Sequence, residues 1–290
     1  MKRLRLLIIL FSAAVFVIFG INRVRESMTS DYVPPVITAE YDAIQSSVHV
    51  TDQDLLTGMS ATDNLDGDVS DSLFVVSKSK FIIRGTRRIG YAAFDKNNNV
   101  GTYTRMLTYT DYVSPHFALS QPFHFLEGNT NQDYLKYVTA SDCLDGDITS
   151  QVRITFGNSV SVSDSVSSRK VDLQVTNSAG DNATLELDAL IEDYDTYYKQ
   201  APALTEYLIY TNVGTKPDYS SLLNGVVSGD RTRSFTDTSF DRYSDVSISD
   251  SSVDYYTPGT YMVSFRLSRQ LKDGSRETLG TTNLIVVVEG

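Results

Sequence analysis

Hydrophobic and polar positions alternate with a period of two over much of this chain. At 88–93, Ile89, Tyr91 and Ala93 alternate with Arg88, Gly90 and Ala92, and at 170–175, Val171, Leu173 and Val175 alternate with Lys170, Asp172 and Gln174. Period two with one apolar face predicts half-buried β-strands. Each strand runs into a turn cluster, Asp-Lys-Asn-Asn-Asn at 95–99 or Asn-Ser-Ala-Gly-Asp at 177–181, and then into a returning apolar segment over 103–109 or 184–191. Both read as β-hairpins. A third alternation puts Tyr261, Val263, Phe265 and Leu267 on one face, with Gly259-Thr260 placed ahead of it as Gly85-Thr86 is ahead of the first, and a last strand is predicted over 283–288.

An acidic motif ties the first two hairpins together. Ala-Thr-Asp-Asn-Leu-Asp-Gly-Asp-Val-Ser at 61–70 recurs as Ala-Ser-Asp-Cys-Leu-Asp-Gly-Asp-Ile-Thr at 140–149, an offset of 79 residues that also relates Leu56 to Leu135. Pro34-Pro35, Ser114-Pro115 and Ala201-Pro202 open successive units, the last after an acidic, Tyr-rich joint at 192–198. Proline at such a position stiffens a linker and resists edge pairing. The expected class is all-β, with tandem antiparallel β-sandwiches after one N-terminal transmembrane helix. The expected segments are 1–30 for a cytoplasmic tip and signal-anchor helix, then domains at 31–112, 113–194 and a diverged 195–290.

Pro34, Pro35 and Ile37, the stretch 61–69, Gly85-Thr86 and the run from Tyr91 to Asp95 together resemble the bacterial immunoglobulin-like repeats of cell-surface proteins, a group related to hyalin-repeat and cadherin-like modules. The resemblance covers the first unit best. The second unit has Asn177 where the first has Asp95, and the third matches only over 259–267. The resemblance implies an immunoglobulin-like fold and a stalk or adhesion role, and it implies no single ligand. Fold carries over more safely than activity.

Residues 6–21 form an apolar run broken only by Ser12, with Lys2, Arg3 and Arg5 ahead of it and Arg23 and Arg25 after it. As a helix it covers ~24 Å, a little short of a ~30 Å hydrocarbon core. It ends in Phe-Gly-Ile-Asn-Arg, which offers no small-residue cleavage site, so a retained anchor is expected. The Lys/Arg asymmetry places the N-terminus in the cytoplasm and the body outside, as a single-pass protein of the cell membrane. From residue 31 onward there are 20 basic against 35 acidic residues, a formal charge of −15. Such a body repels phosphate, which excludes nucleic acid as a partner. The single Cys143 and three scattered His, His49, His116 and His124, exclude an intrachain disulfide and a zinc site.

Candidate chemistry centres on the acidic loops. Asp63, Asp66 and Asp68, and likewise Asp142, Asp145 and Asp147, crowd hard oxygen donors of the kind calcium takes, although the spacing is not that of an EF-hand. The same residues also serve as turn caps, with Gly67 and Gly146 as left-handed turn residues. Calcium is therefore a possible ligand and not a required cofactor. An acid/base pair for glycan cleavage needs two carboxylates about 5–10 Å apart across a cleft, one with a raised pKa, an environment that surface loops of small sandwiches seldom supply. No Gly-x-Ser-x-Gly elbow or phosphate-cradling loop occurs. Acidic neighbours also suppress the reactivity of Cys143. No catalytic or cofactor-binding residue is assigned, and the chain is not expected to be an enzyme. Tyr194, Tyr197, Tyr198, Tyr207 and Tyr210 are expected to pack an inter-domain seam. The function expected is that of a structural spacer or adhesion module of the cell envelope, with an envelope protein or a wall polymer as partner. The alternative is a carbohydrate-binding or hydrolytic module acting on wall glycan.

Overall fold

The structure, a computed structural model, describes residues 2–29, 31–129, 133–229, 231–237 and 245–290, with the side chains of the leading helix described over 9–24. That helix, α1, spans Lys2–Thr29. Its described side chains are exposed throughout, including Phe11, Phe16 and Phe19. Among the described residues no helix is long and apolar enough to cross a membrane. The single-pass transmembrane expectation is therefore not supported.

The remainder is β-structure, and the same strand arrangement recurs three times. The first set comprises β1 (Val36–Ala39), β2 (Ala43–Ser46), β3 (Met59–Asp63), β4 (Gly67–Asp68), β5 (Phe74–Lys78), β6 (Thr86–Phe94) and β7 (Val100–Tyr109). The second comprises β8 (His116–Leu119), β9 (His124–Leu126), β10 (Val138–Asp142), β11 (Gly146–Asp147), β12 (Arg153–Ser163), β13 (Val166–Thr176) and β14 (Asn182–Glu192). The third comprises β15 (Ala201–Leu204), β16 (Leu208–Asn212), β17 (Leu223–Ser228), β18 (Arg231–Ser234), β19 (Val246–Ser249), β20 (Gly259–Gln270) and β21 (Arg276–Glu289). Each set forms a three-stranded sheet, in the orders β1-β3-β4, β8-β10-β11 and β15-β17-β18. Each also forms a four-stranded sheet, in the orders β2-β7-β6-β5, β9-β14-β13-β12 and β16-β21-β20-β19.

The alternations read from sequence have their apolar faces inward. Ile89, Tyr91 and Ala93 are buried, as are Val171, Leu173 and Val175, and Val263, Phe265 and Leu267. The returning strands start earlier than their apolar segments, at Val100, Asn182 and Arg276. Paired backbone extends each ladder past the last residue that packs. One expectation is corrected. The sheets are not wholly antiparallel, because β2, β9 and β16 each lie parallel to the last strand of their set, β7, β14 and β21. The chain leaves the first sheet after one strand and crosses to the other, which brings it alongside that last strand in the same direction. Arg105 departs from the alternation in a different way. It is fully buried, and its guanidinium donates to the Thr57 carbonyl at 3.2 Å.

The chain divides into two compact units, Met1–Tyr112 and Val113–Gly290. Within the second, one apolar core runs from Phe117 and Leu119 through Leu204, Tyr207 and Leu208 to Phe265 and Val286. Backbone groups stitch the same seam. The Tyr207 N–H donates to the Leu119 carbonyl at 3.1 Å, and the Ile285 N–H donates to the Tyr207 carbonyl at 3.0 Å. The Phe117 N–H donates to the Tyr210 hydroxyl at 2.9 Å, and the Tyr210 ring stacks on His116 at 3.9 Å. Tyr207 and Tyr210 form the seam, whereas Tyr194 is exposed. Each Leu or Phe so buried contributes about 1.5–3 kcal/mol. A single neutral hydrogen bond nets about 1 kcal/mol, so apolar burial holds the seam and the hydrogen bonds set its register.

In the first unit a Cβ added at Gly101 would overlap the carbonyl oxygen of Pro35, which cannot swing aside. Gly101→Ala is expected to destabilise that unit by about 2–3 kcal/mol, read as a lower urea midpoint for one of two transitions with the other unmoved. Burial pushes the Tyr210 hydroxyl up to about 12. The folded state then keeps a proton that the unfolded chain releases near pH 10. This contribution is complete below pH ~10 and lost as pH rises through 12. Tyr210→Phe is expected to cost about 1–3 kcal/mol at pH 7 by leaving the Phe117 N–H unpaired. It is also expected to flatten the alkaline fall in stability, measured by urea denaturation at pH 7 and pH 11.

Candidate functional site

The two acidic loops are built alike. In each, a short strand pair, β3 with β4 or β10 with β11, turns through a glycine at φ +73 or +70, Gly67 or Gly146. Asp68 and Asp147 cap the following turn, accepting the N–H groups of Ser70 and Thr149 at 2.9 Å in both cases. Hydrogen bonding from those hydroxyls and N–H groups holds both carboxyls below their usual range. Asp66 and Asp145 staple the loop to the opposite hairpin turn. Asp66 accepts the Lys96 N–H at 2.8 Å and pairs with its ammonium at 2.9 Å, and Asp145 accepts the Ser178 N–H at 2.6 Å and its hydroxyl at 2.7 Å. These four aspartates are turn and loop fasteners. Among the described residues, neither Asp63-Asp66-Asp68 nor Asp142-Asp145-Asp147, the expected ligand sets, brings one ligand atom from each member within 4.8 Å of the others.

Asp63 converges instead on two residues outside the motif. Asp31, Asp63 and Asp95 are all buried, and each offers a carboxylate oxygen within 4.8 Å of the others, the only such acidic group among the described residues. Each carboxylate is anchored on one side. Asp31 Oδ1 accepts the Val33 N–H at 2.9 Å. Asp63 Oδ2 accepts the Leu65 and Asp66 N–H groups at 2.8 and 3.0 Å. Asp95 Oδ1 accepts the Asn99 N–H at 2.7 Å and its Oδ2 the Asn99 side-chain amide at 2.6 Å. The N–H groups of Asp66 and Leu65 hold the Asp63 carboxyl below its usual range, so it is ionised at neutral pH. Asp31 Oδ2 and Asp63 Oδ1 are buried and have no hydrogen-bond partner.

In the second set the corresponding pair is Asp142 and Asn177. The turn bond survives, since Asn177 Oδ1 accepts the Asp181 N–H at 2.9 Å as Asp95 Oδ1 accepts that of Asn99. The other arm differs. The Asn177 amide donates to both Asp142 oxygens, at 3.2 and 3.0 Å. Beside it the Cys143 thiol donates to the Val113 carbonyl at 3.1 Å. Sequence reasoning missed Asp31 and Asp95 because neither lies in the repeated motif. The signal available was the Asp95/Asn177 difference between repeats.

A second feature is a cavity of 770 Å³ inside the second unit, bordered by His124, Glu192, Tyr197, Lys199, Tyr261 and Asn283. His124 pairs with Glu192 at 2.9 Å and faces the Tyr197 ring at 4.8 Å. Two further carboxylates at its wall, Glu186 and Asp188, bracket Lys170 at 2.8 and 3.2 Å. His116 lies in the seam, and His49 has its N–H bonded to the Ser47 hydroxyl.

No family model matches the chain, and no curated protein matches it. Solved structures do. One holds the CBM51-2 domain in complex with GlcNAc and the INT domains of ZmpB from Clostridium perfringens, at 16% identity over 52% of this chain and 26% of that one, TM-score 0.22. Another is the extracellular domain of protocadherin GammaB4, at 11% identity over 89% of this chain and 50% of that one, TM-score 0.20. A third is mouse cadherin-23 EC22-24, at 11% identity over 88% of this chain and 99% of that one, TM-score 0.21. This chain thus spans about a quarter of the first and half of the second. At such scores these superpositions carry no argument, and the class follows from the strand topology, an all-β chain of repeated two-sheet units.

Asn177→Asp would set a carboxylate against Asp142 and remove both amide bonds. It is expected to destabilise the second unit by about 2–4 kcal/mol, visible as a lowered urea midpoint at pH 7.

Proposed function

We propose that this chain is an immunoglobulin-like spacer or adhesion protein of the cell envelope, its body outside the cytoplasm and its leading helix associated with the membrane. The observation that carries the reading is the continuous core of Val113–Gly290, in which two sandwiches share one apolar seam at Tyr207 and Tyr210. A seam with fully buried side chains and backbone bonds resists bending, which suits a part that sets a distance or presents a surface. The exposed apolar side chains of α1 between Ile9 and Ile21 support membrane association, since they stand open to solvent, which apolar surface disfavours. An envelope protein or a wall polymer is the partner class. No nucleic acid is included, given the charge of the body.

A second reading, glycan binding or hydrolysis, is favoured by one observation. The 770 Å³ cavity presents the Tyr197 and Tyr261 rings beside His124, Glu192 and Asn283, a mixture of ring faces and polar groups that a sugar can use.

The two readings separate when the full chain is incubated with wall material and with envelope protein. The spacer or adhesion reading expects retention without release of reducing ends, and weakened retention in the double variant Tyr207→Ala, Tyr210→Ala. Reducing ends that appear with the wild type and vanish with Glu192→Gln would overturn it in favour of hydrolysis. Retention of wall glycan alone, lost in Tyr261→Ala, would overturn it in favour of glycan binding at the cavity.

A further inference from the structure

We propose that Asp31, Asp63 and Asp95 form a calcium site that fastens the residue leading into the first sandwich to its hairpin turn. The inference stands independently of the spacer reading, because it depends only on the geometry of the first unit.

Three observations converge. The first is the donor set. Three carboxylates, each at least nine-tenths buried, bring oxygens within 4.8 Å of one another. Ca–O distances of about 2.3–2.6 Å put ligands of one ion up to about 5 Å apart, the range in which these oxygens lie. The second is the pair of buried atoms without partners, Asp31 Oδ2 and Asp63 Oδ1. A buried carboxylate oxygen with no donor is costly. Protein hydrogen-bond donors already occupy the other oxygens of the same carboxylates, which leaves these free to face an ion. Lys96, next in sequence to Asp95, does not supply the charge, because its ammonium is paired with Asp66.

The third observation comes from within the chain. At Asp142 and Asn177 the same turn geometry is kept, but the amide donates to both carboxylate oxygens and satisfies them without an ion. At the turn position the two arrangements differ by one oxygen exchanged for one NH₂ group, and the first adds Asp31. With Asn177 the site is closed by protein alone. With Asp95, together with Asp31, three buried carboxyl groups meet and two of their oxygens lack donors. A divalent cation would give those oxygens a partner. Calcium fits better than magnesium because it accepts irregular oxygen geometry, whereas magnesium demands near-ideal octahedra and dehydrates reluctantly. Residue 31 follows the last described residue of α1 by two positions, and its carbonyl accepts the Asn97 and Asn99 side-chain amides at 3.3 and 3.0 Å. The ion would complete that attachment from the side-chain side.

The full chain in detergent, stripped with EGTA, is titrated with calcium chloride in a calorimeter and melted with and without the ion. One calcium per chain is expected, with a melting shift of several degrees in the first unit. Asp95→Asn is expected to abolish both uptake and shift and, in EGTA, to melt no lower than the wild type, because the new amide can bridge to Asp63 as Asn177 does to Asp142. That last result separates lost binding from lost folding. Asp142→Asn should keep the uptake. No uptake at about 10 mM calcium, unchanged uptake in Asp95→Asn, or loss of uptake in Asp142→Asn would each overturn the proposal. Magnesium bound as tightly as calcium would overturn the choice of ion.

Discussion

Burial of Tyr207 and its apolar neighbours between two sandwiches is the interaction on which the larger part of this molecule depends. Sandwiches of this length have little interior, because so much of their surface faces outward. The second and third sets gain interior by sharing it. Leu119 and Phe117 on one side, and Ile285 and Val286 on the other, close around the segment that joins them. The tyrosines suit that position because the ring packs apolar while the hydroxyl takes a backbone group, as Tyr210 does with the N–H of Phe117. The 770 Å³ cavity exists because the same two bodies are held at a fixed approach.

The first unit is governed by a different constraint, the close juxtaposition of buried carboxylates. Repeats of one plan need not bury the same chemistry. Asp66 and Asp145, or Asp68 and Asp147, do the same work in both copies, stapling and capping with bonds of similar length. The copies differ at the residue that faces Asp63 or Asp142, Asp95 against Asn177, and the first corner adds Asp31. A single amide nitrogen turns a donor-poor corner into a satisfied one. The turn bond is kept in both, from Asn99 to Asp95 and from Asp181 to Asn177, so the two copies form an internal comparison at that turn.

Much of the fold was legible in the chain because strands and turns have local signatures. The inward faces at Ile89 to Ala93, Val171 to Val175 and Val263 to Leu267 follow from period two alone, and the left-handed Gly67 and Gly146 from their turns. The parallel strands β2, β9 and β16 were not legible, because they are four, three and five residues long and their partners lie far along the sequence. Nor was Arg105, since nothing in a strand pattern announces that a guanidinium will reach the Thr57 carbonyl from the core. The acidic motif drew attention to Asp63 and away from its true neighbours. Asp31 and Asp95 each lie 32 residues from Asp63 and meet it only when strands from both sheets end at the same corner. Density of like residues along a sequence marks a tight turn; convergence of like residues in space needs the topology.

The parallel pairing of β16 with β21 has a mechanical meaning. Leu208 to Asn212 lies beside Ile285 to Glu289 in register. If tension pulls the two strands in opposite directions along their length, their ladder is loaded in shear and its hydrogen bonds must fail together, not one after another. β2 with β7 and β9 with β14 repeat the arrangement. Each set is thus closed by a clasp that bears longitudinal load as a unit, so resistance to extension depends on these short ladders more than on the long hairpins, which are free to unzip from one end.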